Sequence, residues 1–482
     1  MTKRNISIWL VALVVLVGCG TLESIRIVIT PTQSQDLTIA PTVETTEEAT
    51  GDVVAGNVTP RPTEETPVII TNTAEPSRTP IAGDGTFMGS ILSPNYTITP
   101  PATNTPTKIP TLDPNNPLPT VTPVIAASES LDPAEMGLHL YYNMGPDEFA
   151  NVLWQAEQTR VGWVKFQVDW SFFEPNKAGE KSAAYQNFVL QSQAAKNFGF
   201  KVMLSVAKAP QWARTTNQEQ DGPPDNPQDL INFLQTLFTD IKVENIDALE
   251  IWNEPNLIRE WRGKYPMNGT GYMQLFVPIH DAMRSLFPSV HLITGGLAPT
   301  GTSDVSVNDR DFLQQMFDNG LGNYPDVSVG VHPYGWGNAP DAVCCNAVDG
   351  QGWDDNPQFF FLDTLNTYRD ILVQNGFEGV QMWVTEFGWS TWAGYPTQGA
   401  EDWMNYTSPE QQAQYILRAF EIGQERIDIG PMILWNLNFA NQTLIEERNE
   451  MAGFSILAPN LSGDGDPLIV RPIYTALRDR PQ

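Results

Sequence analysis

Two glutamates stand out by the company they keep. Glu254 lies in Leu249-Glu250-Ile251-Trp252-Asn253-Glu254-Pro255-Asn256, and Glu386 lies in Trp383-Val384-Thr385-Glu386-Phe387-Gly388-Trp389. Each is a carboxylate among aromatic and aliphatic neighbours, where an ionised Glu is costly to bury unless it is paired or used. Two such groups facing one cleft suit the cleavage of a glycosidic bond, one as nucleophile or base and the other as acid. Glu250 is a rival to Glu254, and Glu254 has a purely structural alternative as a cap on the loop that follows it. His332-Pro333-Tyr334 adds polar groups at the end of another apolar run.

Residues so far apart in the chain meet only if regular elements carry them to one place. From about residue 136 onward, short apolar runs alternate eight times with amphipathic stretches. The runs predict strands at 137–142, 162–169, 201–207, 248–252, 291–295, 327–332, 382–385 and 432–436. The stretches predict helices near 147–158, 183–198, 227–241, 272–286, 311–319, 360–375, 409–424 and 472–478. Several helices open on a cap and a proline, as at Asn226-Pro227 and Ser408-Pro409. Strands that are apolar on both faces and alternate with helices imply a covered parallel sheet. Eight units over 131–482 fit a closed (β/α)8 barrel better than an open sheet, and no Gly-x-Gly-x-x-Gly follows an early strand. In such a barrel the chemistry sits at the C-terminal ends of the strands, where Glu254, His332-Pro333-Tyr334 and Glu386 all fall.

In that order, Asn253-Glu254-Pro255 after strand four, His332-Pro333-Tyr334 after strand six and Glu386 after strand seven resemble the retaining glycoside hydrolases of clan A. The Trp252-Asn253-Glu254-Pro255-Asn256 context is most similar to family 39, which holds β-xylosidases and α-iduronidases, with the cellulase-like family 5 as neighbour. The resemblance implies that Glu254 is the general acid/base and Glu386 the nucleophile. It implies that Asn253 holds the substrate 2-hydroxyl, Tyr334 hydrogen-bonds Glu386, His332 lines the subsite and Trp435 forms a platform under the sugar. His139 and Trp170 complete the expected substrate-binding set. Lys208, Trp212, Trp336 and Trp389 also lie at or beyond strand ends and suit packing as well as sugar binding. Retention requires carboxyl groups about 5–5.5 Å apart. A negative Glu386 would raise the pKa of Glu254 and keep it protonated.

The start of the chain is of another kind. Lys3 and Arg4 precede an apolar run over 6–17 that is too short to span a bilayer comfortably, and Leu16-Val17-Gly18-Cys19 resembles a bacterial lipobox. We expect residues 1–19 to be a lipoprotein signal with Cys19 acylated, and the remainder to be exported and membrane-anchored at the cell surface. Of 39 prolines, 16 fall within 31–123, and no tryptophan lies between Trp9 and Trp154. Residues 20–130 are therefore expected to be a disordered Thr/Pro-rich tether. With 27 basic against 56 acidic side chains, the net charge of −29 argues against nucleic acid as a partner. Within 131–482 the balance is −23, which suits a neutral oligosaccharide or polysaccharide better than an acidic one.

The chain has three cysteines. Adjacent Cys344 and Cys345 either close a vicinal disulfide or stay unpaired. No metal or cofactor is expected, because the four histidines, at 139, 280, 291 and 332, form no His-Glu-x-x-His run. Gly-x-Ser-x-Gly and P-loop patterns are also missing, which weakens an esterase or metal-dependent hydrolase reading. A non-catalytic carbohydrate-binding or adhesion protein on the same barrel is the alternative function.

Overall fold

The computed structural model describes residues 131–215, 221–345, 354–463 and 465–480. The expected signal, Cys19 and the tether lie outside the described residues. The alternation resolves into eight parallel strands: β1 (Met136–His139), β2 (Trp163–Asp169), β3 (Lys201–Ala207), β4 (Ala248–Ile251), β5 (His291–Thr294), β6 (Val327–Val331), β7 (Met382–Phe387) and β8 (Ile429–Leu434). β1 pairs with β2, Gly137 against Trp163, and with β8, Met136 against Met432, so the sheet closes into the expected (β/α)8 barrel. The long helices Pro146–Gln158, Ala183–Asn197, Pro227–Ile241, Gly269–Leu286, Asp309–Asp318, Phe361–Gln374, Pro409–Gln424 and Pro472–Asp479 alternate with the strands.

Local chemistry sets the helix starts. Asn226 accepts from the Gln228 N–H, and Ser408 forms a capping box with Gln411, each just before a proline at the first helical position. The fourth long helix starts at Gly269, three residues earlier than expected, because the Asn268 side chain accepts from the Gly271 N–H. β1 stops at His139, short of the expected 142, and Tyr142 turns to pack on Phe188 with ring centroids 4.7 Å apart. After β8 the chain adds two short helices, Gln442–Glu446 and Glu450–Phe454, and an antiparallel pair, β9 (Leu457–Pro459) with β10 (Leu468–Val470). None of these was expected from the periodicity.

Side-chain alternation sorts the barrel interior into layers. Trp163, Met203, Ala248, Ile293, Trp383 and Ile433 form an apolar floor. Two residues further along β2, β3, β4 and β7 the same face carries Lys165, Ser205, Glu250 and Thr385, all fully buried. The outward face of β2 carries Val164, Phe166 and Val168, packed among the buried residues of the main core.

β7 breaks the alternation where it matters. Val384 pairs with Met432 and Phe387 with Leu434, so three steps on β7 oppose two on β8. Such a bulge re-aims side chains. Thr385 and Glu386, though consecutive, both make polar contacts inside the barrel, while Phe387 returns to the core against Phe420. Cys344 and Cys345 are joined as a vicinal disulfide in the β6–β7 connection, apart from the residues that line the cleft. Among the described residues no helix is long and apolar enough to cross a membrane.

Candidate active site

A cleft of about 760 Å³ opens at the C-terminal ends of the strands. Glu254 and Glu386 both line it, and both are nearly buried, at 7% and 6% exposure. The segment carrying Glu254 is held in an unusual shape. Trp252 and Glu254 have φ of 78° and 40°, a left-handed conformation that non-glycine residues rarely adopt and that the surroundings must impose. The Glu254 N–H donates to the Gly296 carbonyl, and the Trp252 indole donates to the Glu260 carbonyl. Asn256 bonds the Ala298 backbone through both ends of its amide and ties the loop after β4 to the loop after β5. Gly296 is needed between them, because a Cβ there would sit on the His332 ring.

Glu386 is the most heavily partnered group. Its Oε1 accepts from Lys165 Nζ at 3.0 Å and lies 3.6 Å from His139 Nδ1, and its Oε2 accepts from the Tyr334 hydroxyl at 3.1 Å. Burial alone would raise its pKa, but the charges of Lys165 and His332, with the His139 contact, hold it well below the usual carboxylate range. Lys165, from the middle of β2, is fully buried; it donates to Glu386 and to the Thr385 carbonyl and forms an ion pair with Glu250 Oε2 at 2.8 Å. Burial works to lower the pKa of Lys165, yet the two carboxylates prevail and raise it. Glu250, the rival to Glu254, is thus the counter-ion beneath the site. Burial opposes its ionisation, but Lys165 and His332 bring its pKa down to about 2.

His332 lies under both cleft carboxylates instead of lining the cleft as expected. Its Nδ1 is 3.2 Å from Glu254 Oε1 and its Nε2 is 3.1 Å from Thr385 Oγ1. Burial would lower its pKa, but the charge of Glu386 and bonds to Glu250 and Glu254 raise it to about 9. The ring is therefore a cation at neutral pH. Glu254, Glu386 and His332 offer ligand atoms within 4.8 Å of one another. His139 behaves oppositely, its pKa lowered first by burial, so it is neutral.

Glu254 departs from the expected protonation. Its Oε1 faces His332 and its Oε2 accepts from Arg259 at 2.9 Å. Burial and Glu386 work to raise its pKa, but the His332 bond and the Arg259 charge outweigh them and hold it below the ordinary value. The expectation of a raised value fails because it counted Glu386 and not these two cations. The carboxyl held high is instead Glu260, which burial and the Glu254 charge push up to about 8.

The remaining expected residues divide. Asn253, His139, Tyr334 and Trp435 line the cleft, as do Lys208, Trp336 and Trp389. Trp170 does not: it is fully buried, stacked on Phe233 with centroids 5.4 Å apart, and its indole donates to Glu174. Trp212 meets it edge-on outside the cleft. Trp170 opens a helical turn after β2, which swings its ring toward the surrounding helices. Sequence reasoning missed Lys165, Arg259, Glu260, Glu450, Trp403 and Phe454. Only Lys165 left a signal, a lysine inside the apolar run Trp163-Val164-Lys165-Phe166.

Lys165→Met leaves two buried carboxylates without their cation, and should cost about 3–5 kcal/mol of stability in chemical denaturation. Glu250 titrates at about 2 against an ordinary 4.5, so the stability it carries is complete above about pH 4.5 and fades toward pH 2. His332 titrates at about 9 against an ordinary 6.5, so its contribution is complete below about pH 6.5 and fades as pH rises through 9. Thermal unfolding followed across pH should fall on both flanks, and Glu250→Gln should flatten the acid one.

No family model matches the sequence, and no curated protein matches it. Solved structures do. The fold is similar to that of a family 39 glycoside hydrolase from Bacteroides cellulosilyticus WH2, at 16% identity and a TM-score of 0.52, over 74% of this chain and 64% of that one. The chain thus spans under two thirds of that protein's length. Weaker likenesses join it to the exo-β-1,4-mannosidase Op5Man5 of Opitutaceae bacterium strain TAV5 (14% identity, TM-score 0.46, 74% of this chain and 60% of that one) and to the β-glycosidase BGL167 (17%, 0.45, 69% and 86%). The structural neighbours are glycoside hydrolases, and at these identities what they share with this chain is the barrel.

Proposed function

We propose that the chain is a retaining glycosidase that cleaves O-glycosidic bonds of a neutral oligosaccharide or polysaccharide by double displacement. The observation that carries this is the meeting of Glu254 and Glu386, with oxygens within 4.8 Å in one aromatic-lined cleft. Oxygens this near each other favour the retaining arrangement, in which the carboxyl groups lie about 5–5.5 Å apart, over an inverting pair at about 6.5–9.5 Å.

Glu386, kept ionised by Lys165, attacks the anomeric carbon as the bond to the leaving oxygen breaks. Glu254 in its acid form gives its proton to that oxygen. Glycosylation neutralises Glu386, and Glu254, now a carboxylate, takes a proton from water as the water oxygen attacks the anomeric carbon and Glu386 departs. Tyr334 steadies one Glu386 oxygen by its hydrogen bond, and Lys165 the other. Asn253, whose Oδ1 has no protein partner among the described residues, would meet a sugar hydroxyl. Trp435, flanked by Tyr334 and Phe454, would offer its face to the C–H side of the ring. In family terms the motif context favours family 39 over family 5. We further propose that Cys19 carries the lipid that holds the enzyme at the outer surface of the exporting cell.

The second reading is sugar binding without turnover. It draws on the ion pair between Glu254 and Arg259, which leaves both cleft carboxylates ionised in the free protein.

A panel of aryl glycosides and polysaccharides separates the two. Wild type should hydrolyse at least one member with retained anomeric configuration, and Glu386→Gly should lose on the order of 10⁴-fold or more in kcat. Azide should restore turnover to Glu386→Gly and yield a glycosyl azide of inverted configuration. A Glu386→Gly variant with full activity removes Glu386 as nucleophile, while binding in affinity electrophoresis with no hydrolysis favours the second reading. For the anchor, Cys19→Ala should move the protein from the membrane fraction to the soluble exported fraction and abolish palmitate labelling.

A further inference from the structure

The proposed reaction asks Glu254 to hold a proton, yet both of its oxygens are occupied by cations. Oε1 faces the buried His332, and Oε2 carries the Arg259 guanidinium at 2.9 Å. His332 is fully enclosed and fixed by Thr385. Arg259 is different: its side chain is 58% exposed, lines the cleft, and points its other nitrogen at Glu450 Oε1, 3.5 Å away on the short helix after β8. Glu450 is itself 38% exposed. Arg259 therefore bridges two walls of the cleft and covers the oxygen to which a leaving group must come.

We propose that Arg259 is a positioning residue that sets when Glu254 can act as acid, clamping it as a carboxylate in the free enzyme and yielding to the arriving leaving group by moving onto Glu450. The inference rests on the glycosidase reading above. The other groups facing Glu254 do not offer this exchange. His332 from β6 has no room to move, and Glu386 and Tyr334 are tied to each other. Glu260, on Arg259's own loop, is near enough to feel the charges of Glu254, Lys208 and Arg259, but as a carboxyl it cannot serve as a departing cation. Losing the guanidinium raises the affinity of Glu254 for a proton, because an opposite charge at this range stabilises the carboxylate. The proton comes from solvent and leaves on the glycosidic oxygen, so the exchange needs no other reactant.

The pH dependence of kcat/KM reports the free enzyme and that of kcat the substrate complex, so the two profiles read the clamp on and off. With an alkyl glycoside, whose leaving group needs the proton, the basic limb of wild-type kcat should lie about one pH unit or more above that of kcat/KM. In Arg259→Gln the kcat/KM limb should rise to meet the kcat limb, and Arg259→Lys should keep the wild-type gap. Glu450→Gln should lower the kcat limb, because the displaced guanidinium loses its second partner. A 2,4-dinitrophenyl glycoside departs without a proton, and its profiles should show no gap in any of these proteins. Coincident limbs in wild type, or a gap that survives in Arg259→Gln, overturns the assignment of Arg259 and leaves the glycosidase reading standing. A wild type that hydrolyses no glycoside overturns both. Equal melting temperatures for wild type and Arg259→Gln would show that the shift is not a folding defect.

Discussion

The site depends on one buried ammonium group. Lys165 is a cation with no exposed surface, and it survives there because Glu250 and Glu386 each lie within 3.0 Å of it. Taking three charges out of water costs several kcal/mol per ion, which no nearby apolar burial offsets directly. What makes the arrangement tolerable is close pairing. Lys165 donates to Glu386 and to the Thr385 carbonyl and lies 2.8 Å from Glu250 Oε2, while Glu250 Oε1 accepts from the Gly296 N–H. Lys165, with His332, in turn holds Glu386 ionised, so the cation that is costly to enclose is also what keeps this carboxylate charged.

The barrel geometry is what permits this pairing. Lys165 and Glu250 share an interior layer because each lies two residues beyond the apolar floor on its strand. Thr385 faces inward by regular alternation and partners His332, and Glu386 joins it only through the bulge in β7, which turns two consecutive residues inward. A regular β7 would have aimed Glu386 at the helices. Gly296 completes the fit by leaving space for the imidazole.

This division explains what was legible in the sequence. The eight-unit barrel was readable because apolar periodicity records which faces are covered. Glu254, Glu386, Asn253, Tyr334 and Trp435 were readable as polar or aromatic residues just past apolar runs, where a barrel exposes side chains to its mouth. Trp170 satisfies the same positional rule and fails because the chain turns helical at that residue, which periodicity over a few positions does not reveal. The roles of Lys165, Arg259 and Glu450 were not readable, since each depends on partners from elements far apart in the chain. The reversed direction of the Glu254 shift has the same origin: the carboxylate was legible and its two cations were not.

Charge in the cleft obeys a stricter balance than charge on the domain. Residues 131–482 carry −23, yet Glu250, Glu254 and Glu386 are matched by Lys165, His332 and Arg259, one cation for each carboxylate. The three cations are not equivalent. Lys165 and His332 are wholly enclosed, whereas Arg259 reaches solvent over 58% of its side chain. A double displacement needs one carboxyl group ionised and the other protonated when the bond breaks. The enclosed cation beneath Glu386 cannot leave, so that carboxylate stays ionised. In the proposed exchange the exposed cation on Glu254 moves away while His332 stays, which eases proton uptake by that carboxylate. On the proposed glycosidase reading, the difference between nucleophile and acid is set less by the glutamates themselves than by how deeply the partner of each is buried.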